Sequence, residues 1–176
     1  MKKYRLTEET TKVGNRTLYR IQALRDFGNV TKGDIGGYIE SEKNLSQDGN
    51  AWVSDDARVS GDARVSGNAW VYGNAWVYGD AWVSDNACVY GNARVYGNAD
   101  IKTTGDICSM SGFGSEYRTT TAFRTKNGDV HVSCGCFFGS LEAFCQRVES
   151  THGNNLYGRE YKKMIEMLKI HFEVEP

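Results

Sequence analysis

The clearest pattern along the chain is a short alternation of apolar and polar positions that returns every six residues between Asn50 and Thr103. Most units read Asn or Asp, Ala, any residue, Val, Ser or Tyr, Gly or Asp. The Ala and the aliphatic residue are two apart, so in a strand both point to the same side. Six residues fit one short strand and a corner, and Gly, Asn and Asp tolerate tight turns. The pattern therefore predicts a solenoid, whose units bury their apolar side by stacking.

The nine consecutive units resemble the hexapeptide-repeat family, in which an aliphatic residue is followed four positions later by a small one. Val53 with Ala57 and Val71 with Ala75 are two such pairs. The resemblance implies a left-handed parallel β-helix with three units in each coil, so about three regular coils are expected. The predicted fold is mainly β, with an N-terminal β cap over 1–49, the left-handed β-helix over 50–107 and a small C-terminal ββαα module over 108–176. Ile107 is a candidate continuation of the repeat.

A coil of eighteen residues, as the resemblance implies, places the outward residues of successive coils in columns. These columns are rich in aromatic side chains: Trp52, Trp70, Trp76, Trp82, Tyr72, Tyr78, Tyr90 and Tyr96. Exposed aromatic surfaces of this size usually mark an interface. We therefore predict that these residues pack against other subunits of a homo-oligomer, and the resemblance implies a trimer. The alternative is a platform on which a base or another ring stacks.

The segments on either side of the repeats have other patterns. Before them, apolar and polar residues alternate on both sides of Gly14-Asn15, which predicts two strands and a turn. Residues 33–46 then predict an irregular first coil that covers the end of the solenoid. After the repeats, residues 116–126 and 129–134 predict two strands joined by a type I′ turn at Asn127-Gly128.

Two helices are predicted at the end of the chain from apolar residues at helical spacing. The first runs from Ser140 to Ser150, with Ser140 as its N-cap. The second runs from about Gly158 to Phe172. Residues 32–39 and 134–144, together with the repeats, also resemble a group of prophage proteins of bacteria, which implies a phage accessory origin but no particular activity.

Composition narrows the possible partners. The net charge is −1, from 21 basic and 22 acidic residues, which gives no electrostatic basis for binding duplex nucleic acid or an anionic membrane. No apolar run approaches the roughly 20 residues that span a bilayer. Residues 1–8 contain basic side chains but no apolar segment, so no export signal is predicted and a cytoplasmic location is expected. The five Cys are then expected to be reduced thiols.

Candidate catalytic groups are few. Hexapeptide acyltransferases resemble this chain in the coil and use a His as general base, but His131, His152 and His171 all lie outside the repeats. His131 or His152 would have to act as the base if the protein were a transferase. His131, Cys134, Cys136 and Cys145 suggest a metal site, but Cys-x-Cys is not the usual zinc spacing, so buried thiols and no bound metal or other cofactor are expected.

The predicted strand at 116–126 carries a possible anion site, since hydroxyl groups there alternate with basic groups. Its candidate ligand-binding residues are Arg118, Thr119, Thr121, Arg124 and Lys126. The alternative is an ordinary Thr-rich strand with a solvated face.

The sequence therefore favours a non-catalytic binding protein. The expected protein is a phage-encoded homotrimer that engages a host protein or sequesters a small nucleotide signal, with a possible role against antiviral defence. The first alternative is a hexapeptide acyltransferase that uses acyl-CoA. The second is a structural scaffold or spike piece, for which three coils of about 4.8 Å each are short.

Overall fold

The structure is a computed structural model that describes residues 1–174 and divides into two compact units, the first ending at Thr104 and the second beginning at Gly105. The first unit opens with two long strands, β1 (Tyr4–Val13) and β2 (Arg16–Ala23), which pair antiparallel around Gly14-Asn15 as predicted. A third strand, β3 (Ile35–Ile39), follows and pairs with β2. A 3₁₀ turn over Glu42–Asn44 then leads into the repeats.

Each hexapeptide unit contributes a strand of two residues, and the remaining four residues form the corner. These strands are β4 (Trp52–Val53), β5 (Arg58–Val59), β6 (Arg64–Val65), β7 (Trp70–Val71), β8 (Trp76–Val77), β9 (Trp82–Val83), β10 (Cys88–Val89), β11 (Arg94–Val95) and β12 (Asp100–Ile101). They form three parallel sheets, in the orders β4-β7-β10, β6-β9-β12 and β3-β5-β8-β11. Strands β1 and β2 continue the last sheet, which we call the hairpin face. The expected parallel β-solenoid is thus confirmed.

The register of these sheets is eighteen residues, because Arg58 pairs with Trp76 and Trp76 with Arg94. Backbone bonds follow the same step, as from Arg58 N to Ala75 O at 2.9 Å. The Ala and Val side chains of the repeat fill the interior and are almost fully buried. Gly67 shows why the corners need glycine: its φ is +66°, and a Cβ there would lie 2.8 Å from the amide nitrogen of Asp85 in the next coil.

An irregular coil precedes the three regular ones, so the solenoid has about four turns. Tyr38 and Ile39 of β3 pair with β5, and Leu45 forms a parallel bridge with Val65. Asn44 is buried and donates its side-chain amide to the carbonyls of Gly61 and Ala63. These bonds satisfy the backbone of the first regular coil, which would otherwise have an open edge.

The predicted exposure of Trp52 is wrong. Its indole is 3% exposed and packs edge-on against the rings of Tyr4 and Phe27, with ring centroids 6.4 and 5.4 Å away. Both partners come from the segment before the repeats, which folds over this side of the first coils. Trp52 therefore belongs to the core of the first unit and is not available to another subunit.

The second unit is an antiparallel sheet packed against two helices. Its elements are β13 (Ile107–Met110), β14 (Thr120–Arg124), β15 (Val130–Cys134), β16 (Phe137–Ser140), α1 (Leu141–His152) and α2 (Leu156–His171). The strands pair in chain order. The two predicted strands and both helices are present, and Ser140 caps α1 by accepting a bond from Ala143 N at 3.1 Å. Neither helix combines the length and hydropathy that a bilayer-spanning segment requires.

Several details of this unit differ from the prediction. Strands β13 and β16 were not predicted, and Ile107 begins β13 instead of continuing the solenoid. The Asn127-Gly128 turn is not type I′, because only Gly128 has a positive φ. Gly128 N donates to Thr125 O, as in a three-residue hairpin loop with glycine in the left-handed position. Another tight turn consists of Gly135 and Cys136, since Cys134 pairs with Phe137 across it.

Candidate functional site

A groove of about 370 Å³ opens on the hairpin face, between the tip of the β1–β2 hairpin and the coils beside it. We call it the hairpin groove. One wall comes from the hairpin and the other from β5, β8 and the corners that follow them. Its lining residues are Val13, Gly14, Arg16, Leu18, Arg58, Ser60, Gly61, Trp76, Tyr78 and Gly79. The groove therefore combines aliphatic and aromatic walls with two guanidinium groups.

The groove exists because the hairpin strands are longer than the strands of the solenoid. Strand β2 has eight residues, whereas the pairing of β3 with β5 involves only Tyr38 and Ile39. The hairpin therefore continues past the corner at which the coil turns away. Leu18 is fully buried at the base of this overhang, which fixes the hairpin to the unit.

Trp76 and Tyr78 form the aromatic part of the groove wall, and Tyr78 stacks on Tyr96 behind it. The rings of Tyr78 and Tyr96 lie one coil apart, with centroids 4.5 Å from each other and planes at 9°. Burial and the neighbouring Tyr96 raise the pKa of Tyr78 to about 12. The position one coil before Tyr78 is Ser60, which also lines the groove.

Arg58 is the distinctive charged group of the groove. Its guanidinium lies over the ring of Trp76, 5.1 Å from the centroid, and Arg94 approaches the same ring at 5.5 Å. Arg58 Nε is buried and has no hydrogen-bond partner in the part of the chain that the structure describes. A buried donor without a partner costs about 1–3 kcal/mol, so such atoms often mark a place that a ligand or water fills.

The second arginine of the groove is already paired. Arg16 donates to Glu40 Oε2 at 2.7 Å, and the same oxygen accepts the amide of Gly61 at 2.7 Å. Burial opposes the charge of this carboxyl, but the Gly61 amide and the Arg16 guanidinium outweigh it and lower the pKa of Glu40. Among the residues that the structure describes, this closed network leaves Arg58 as the groove-lining arginine without a carboxylate partner.

The other predicted aromatic residues lie on the outside of the solenoid. Tyr72 and Tyr90 stack at 5.5 Å, and Tyr90 is 50% exposed. Trp82 is 45% exposed with Arg64 over its ring, and Trp70 is half-buried. The columns expected from an eighteen-residue coil are present, and the role of these residues in subunit packing stays a prediction.

The predicted anion site of the second unit is not assembled as one cluster. Thr121 is buried, and Thr119 shares a hydrogen bond with Ser111. Arg124 donates to the carbonyls of Gly128 and Phe172, so it joins backbone segments of the unit. Arg118 precedes β14, whereas Arg124 is its last residue. Lys126 is exposed in the turn after β14.

The structure instead brings Arg118 together with His152. Both line a cavity of about 190 Å³ whose other walls include Phe144, Arg147 and Tyr161. His152 is the last residue of α1, and its ring lies 5.6 Å from that of Tyr161. Arg118 also approaches Glu116 at 3.6 Å.

Cys134 and Cys136 line the same cavity, whereas His131 and Cys145 are not among its lining residues. His131 packs edge-on against Phe138, and its Nδ1 is buried without a hydrogen-bond partner in residues 1–174. Cys134 accepts a bond from Thr120, and Cys145 packs against the core. Within the same range, no three His, Cys, Asp or Glu side chains lie close enough to hold a metal ion.

Comparison with known proteins concerns the repeats. Residues 57–73, 69–85 and 87–99 match the family model described as the YdcK Beta solenoid repeat. A relative from Escherichia coli (strain K12), named "Uncharacterized acetyltransferase YdcK", is 40% identical over 63 residues, which cover 31% of this chain and 19% of the relative. The chain thus matches less than a fifth of that protein's length. These matches confirm the resemblance to hexapeptide-repeat proteins.

Proposed function

We propose that this protein binds a small organic anion in the hairpin groove. The observation that carries the proposal is Arg58, whose buried Nε has no partner beside a groove with apolar and aromatic walls. A volume of about 370 Å³ lies at the lower end of the range for small-molecule sites. The nearby Arg16–Glu40 pair does not supply a competing carboxylate for Arg58, because Glu40 is held by Arg16 and Gly61.

Thermal unfolding in the presence of candidate anions tests this proposal. The panel contains cyclic nucleotides, NAD-derived nucleotides, CoA and acetyl-CoA. A ligand at one hundred times its Kd stabilises the folded protein by about 2.7 kcal/mol. Arg58→Ala should abolish that stabilisation, whereas Arg64→Ala should keep it, since Arg64 also lies over a tryptophan but outside the groove. Stabilisation that survives in Arg58→Ala, or its absence with the whole panel, contradicts the proposal.

Acetyl transfer is the second candidate function, and the name of the E. coli relative favours it. The second unit supplies a possible base, because His152 shares its cavity with the guanidinium of Arg118. In this scheme the imidazole would take a proton from the acceptor as it attacks the acetyl carbonyl and would return it to the departing sulfur, so that CoA leaves as the thiol.

Release of free CoA thiol from acetyl-CoA, measured with an amine acceptor mixture, tests this candidate. His152→Ala should remove the activity. His171→Ala is a control for the loss of an imidazole, since His171 lies near the Gly105 carbonyl and does not line the cavity. Equal rates in the wild type and His152→Ala would exclude His152 as the base.

The assembly and biological role form the last part of the proposal. A homotrimer that sequesters a nucleotide signal, or that engages a host protein to blunt antiviral defence, is compatible with the exposed Trp82 and Tyr90. The mass of the purified protein in solution tests the trimer. Binding of a nucleotide signal tighter than that of acetyl-CoA would support sequestration over transfer.

A further inference from the structure

A column of side chains on the hairpin face changes from small to aromatic at the groove. The residue that follows the buried Val is Ser60 in one coil, Tyr78 in the next and Tyr96 in the last. The order of strands in this sheet is β5-β8-β11. Tyr96 therefore covers one face of the Tyr78 ring, and the opposite face is turned toward Ser60.

The spacing of the coils sets the level at which a further ring would stack on Tyr78. Neighbouring strands of a sheet are about 4.8 Å apart, and the Tyr78 and Tyr96 rings stack at 4.5 Å. A ring at the level of Ser60 would therefore continue the stack at the same spacing. Serine is too small to occupy that level, and Val13 and Leu18 of the hairpin line the same groove.

We infer that the hairpin groove binds a planar aromatic ring that carries one negative charge. The ring stacks on Tyr78 as the third ring of the Tyr96–Tyr78 stack, and the charged group contacts Arg58. This inference rests on the proposed binding function of the groove and adds the chemical class of the ligand. Both groups needed for it, Tyr78 and Arg58, line the groove.

The charges of the groove limit the number of anionic groups that its ligand can carry. Arg16 is neutralised by Glu40, which precedes Ser60 by one coil in the same column and whose carboxylate also accepts the Gly61 amide. Arg58 is the lining arginine without a carboxylate partner in residues 1–174. One guanidinium balances one carboxylate or one singly charged phosphate ester, and any further negative charge would lie in the groove without a cationic partner.

The repeat itself supplies a substitution that fills the space. The position of Ser60 is occupied by Tyr in four other units, those of Tyr72, Tyr78, Tyr90 and Tyr96, so Ser60→Tyr keeps a residue that this solenoid already uses there. The new ring would stack on Tyr78 and occupy the level of the ligand. Ser54→Tyr is the matched control, because Ser54 precedes Tyr72 by one coil and does not line the groove.

Calorimetric titration with three small probes tests the inference. 2-Naphthoate carries the ring and the charge, 2-naphthamide keeps the ring without the charge, and decalin-2-carboxylate keeps the charge without the aromatic ring. We expect 2-naphthoate to bind the wild type at least about tenfold more tightly than either other probe, since one stacked ring or one ion pair contributes about that factor. Ser60→Tyr should lose 2-naphthoate binding, and Ser54→Tyr should keep it.

The outcomes distinguish a failure of this inference from a failure of the proposed anion-binding function of the groove. If decalin-2-carboxylate binds as tightly as 2-naphthoate and both depend on Arg58, the groove is an anion site and the aromatic inference is overturned. If no probe depends on Arg58, the binding function itself is overturned. Binding of 2-naphthoate that survives Ser60→Tyr would also overturn the stacked position. Tryptophan fluorescence and the unfolding midpoint of each variant show that the fold is intact.

Discussion

The two units of this protein obtain their register in different ways. In the first, backbone bonds join residues eighteen apart, and the same Ala and Val positions fill the interior of every coil. In the second, tight turns join β14 to β15 and β15 to β16, and varied side chains such as Phe144, Tyr161 and Leu168 fill the core. A solenoid tolerates change on its outward positions because the core repeats, whereas the second unit depends on each core residue individually.

The molecule carries separate reporters for this comparison. All four Trp lie in the first unit, and both α-helices lie in the second. Tryptophan fluorescence therefore follows the solenoid during unfolding, and circular dichroism at the helical minimum follows the second unit. Four predictions test whether the two units differ in how they respond to substitution or pH, and they are given in order of decreasing effect on the free energy of unfolding.

The largest effect is expected for Phe144→Ala. Phe144 is 3% exposed and packs against Phe137 and Tyr161, with ring centroids 5.2 and 5.8 Å away. Removal of a buried aromatic ring costs about 3–5 kcal/mol. In a urea titration the helical signal should shift far more than the tryptophan signal. Met167→Ala is the control, because Met167 is 60% exposed on α2. Equal shifts of both signals would show that the units unfold together.

A smaller effect, confined to the solenoid, is expected for Gly67→Ala. Gly67 and Gly91 have nearly the same φ, +66° and +65°. A Cβ at Gly67 would lie 2.8 Å from Asp85 N, whereas a Cβ at Gly91 would meet nothing within 4 Å. The left-handed backbone costs alanine about 1–2 kcal/mol at both sites, and the clash adds about 1–3 kcal/mol at Gly67 alone. Tryptophan fluorescence in urea should therefore separate the two variants, and equal midpoints would contradict the close approach of the coils.

A still smaller loss of stability is expected when the ladder of asparagine side chains along one corner of the solenoid is interrupted. Asn50 donates to Asn68 at 3.0 Å, and Asn68 donates to Asn86 at 3.2 Å. Asn68→Ala removes both bonds at an exposed site, so a loss of about 1 kcal/mol is expected. Asn74→Ala is the control at the same position of the next unit, and it should change the unfolding midpoint less. No difference between the variants would mean that water replaces the ladder without cost.

The smallest effect is a pH dependence from Lys3. Its ammonium is buried and donates to Ala51 O at 2.9 Å, and burial, assisted by Arg25, lowers the pKa of Lys3 to about 8. Above that pH the unfolded chain binds more protons than the folded chain, so stability rises with pH toward the ordinary lysine pKa of 10.5. Burial raises the pKa of Tyr4 and opposes this trend above about pH 10, where unfolded tyrosines lose their protons.

The measurement compares unfolding midpoints between pH 7 and pH 9 in the wild type and Lys3→Met. The wild type should gain stability relative to the variant as the pH rises. Lys2→Met, at an exposed lysine paired with Glu42, should retain the wild-type slope. A slope that is unchanged in Lys3→Met would show that Lys3 is not the group responsible.

The sequence predicted the solenoid well because its period fixes the register. Once Ala and Val are placed inside, an eighteen-residue coil puts Arg58, Trp76 and Arg94 in one column, as observed. The burial of Trp52 could not be predicted in this way, because Tyr4 and Phe27 reach it from outside the period. The second unit was predicted in part, since its long helices have a strong pattern but β13 and β16 are too short to have one.

The candidate site was the hardest feature to predict. It depends on how far the β1–β2 hairpin extends past the corner, which no local pattern states. The change from Ser60 to Tyr78 was visible in the sequence, but its meaning requires the hairpin beside it. Among the predicted anion residues, Arg124 donates to the carbonyls of Gly128 and Phe172, and these long-range contacts could not be predicted from the strand pattern.

The eighteen-residue register also affects how such a gene can change length. Loss or duplication of three consecutive units would remove or add one whole turn, and every remaining side chain would keep its column. Loss of one unit would rotate all later columns by one face and place Trp82, for example, in the column now held by Trp76. Because the groove is lined by the hairpin and by the coils of Arg58 and Trp76, whole-turn changes at the far end would leave the groove wall at Arg58 in place.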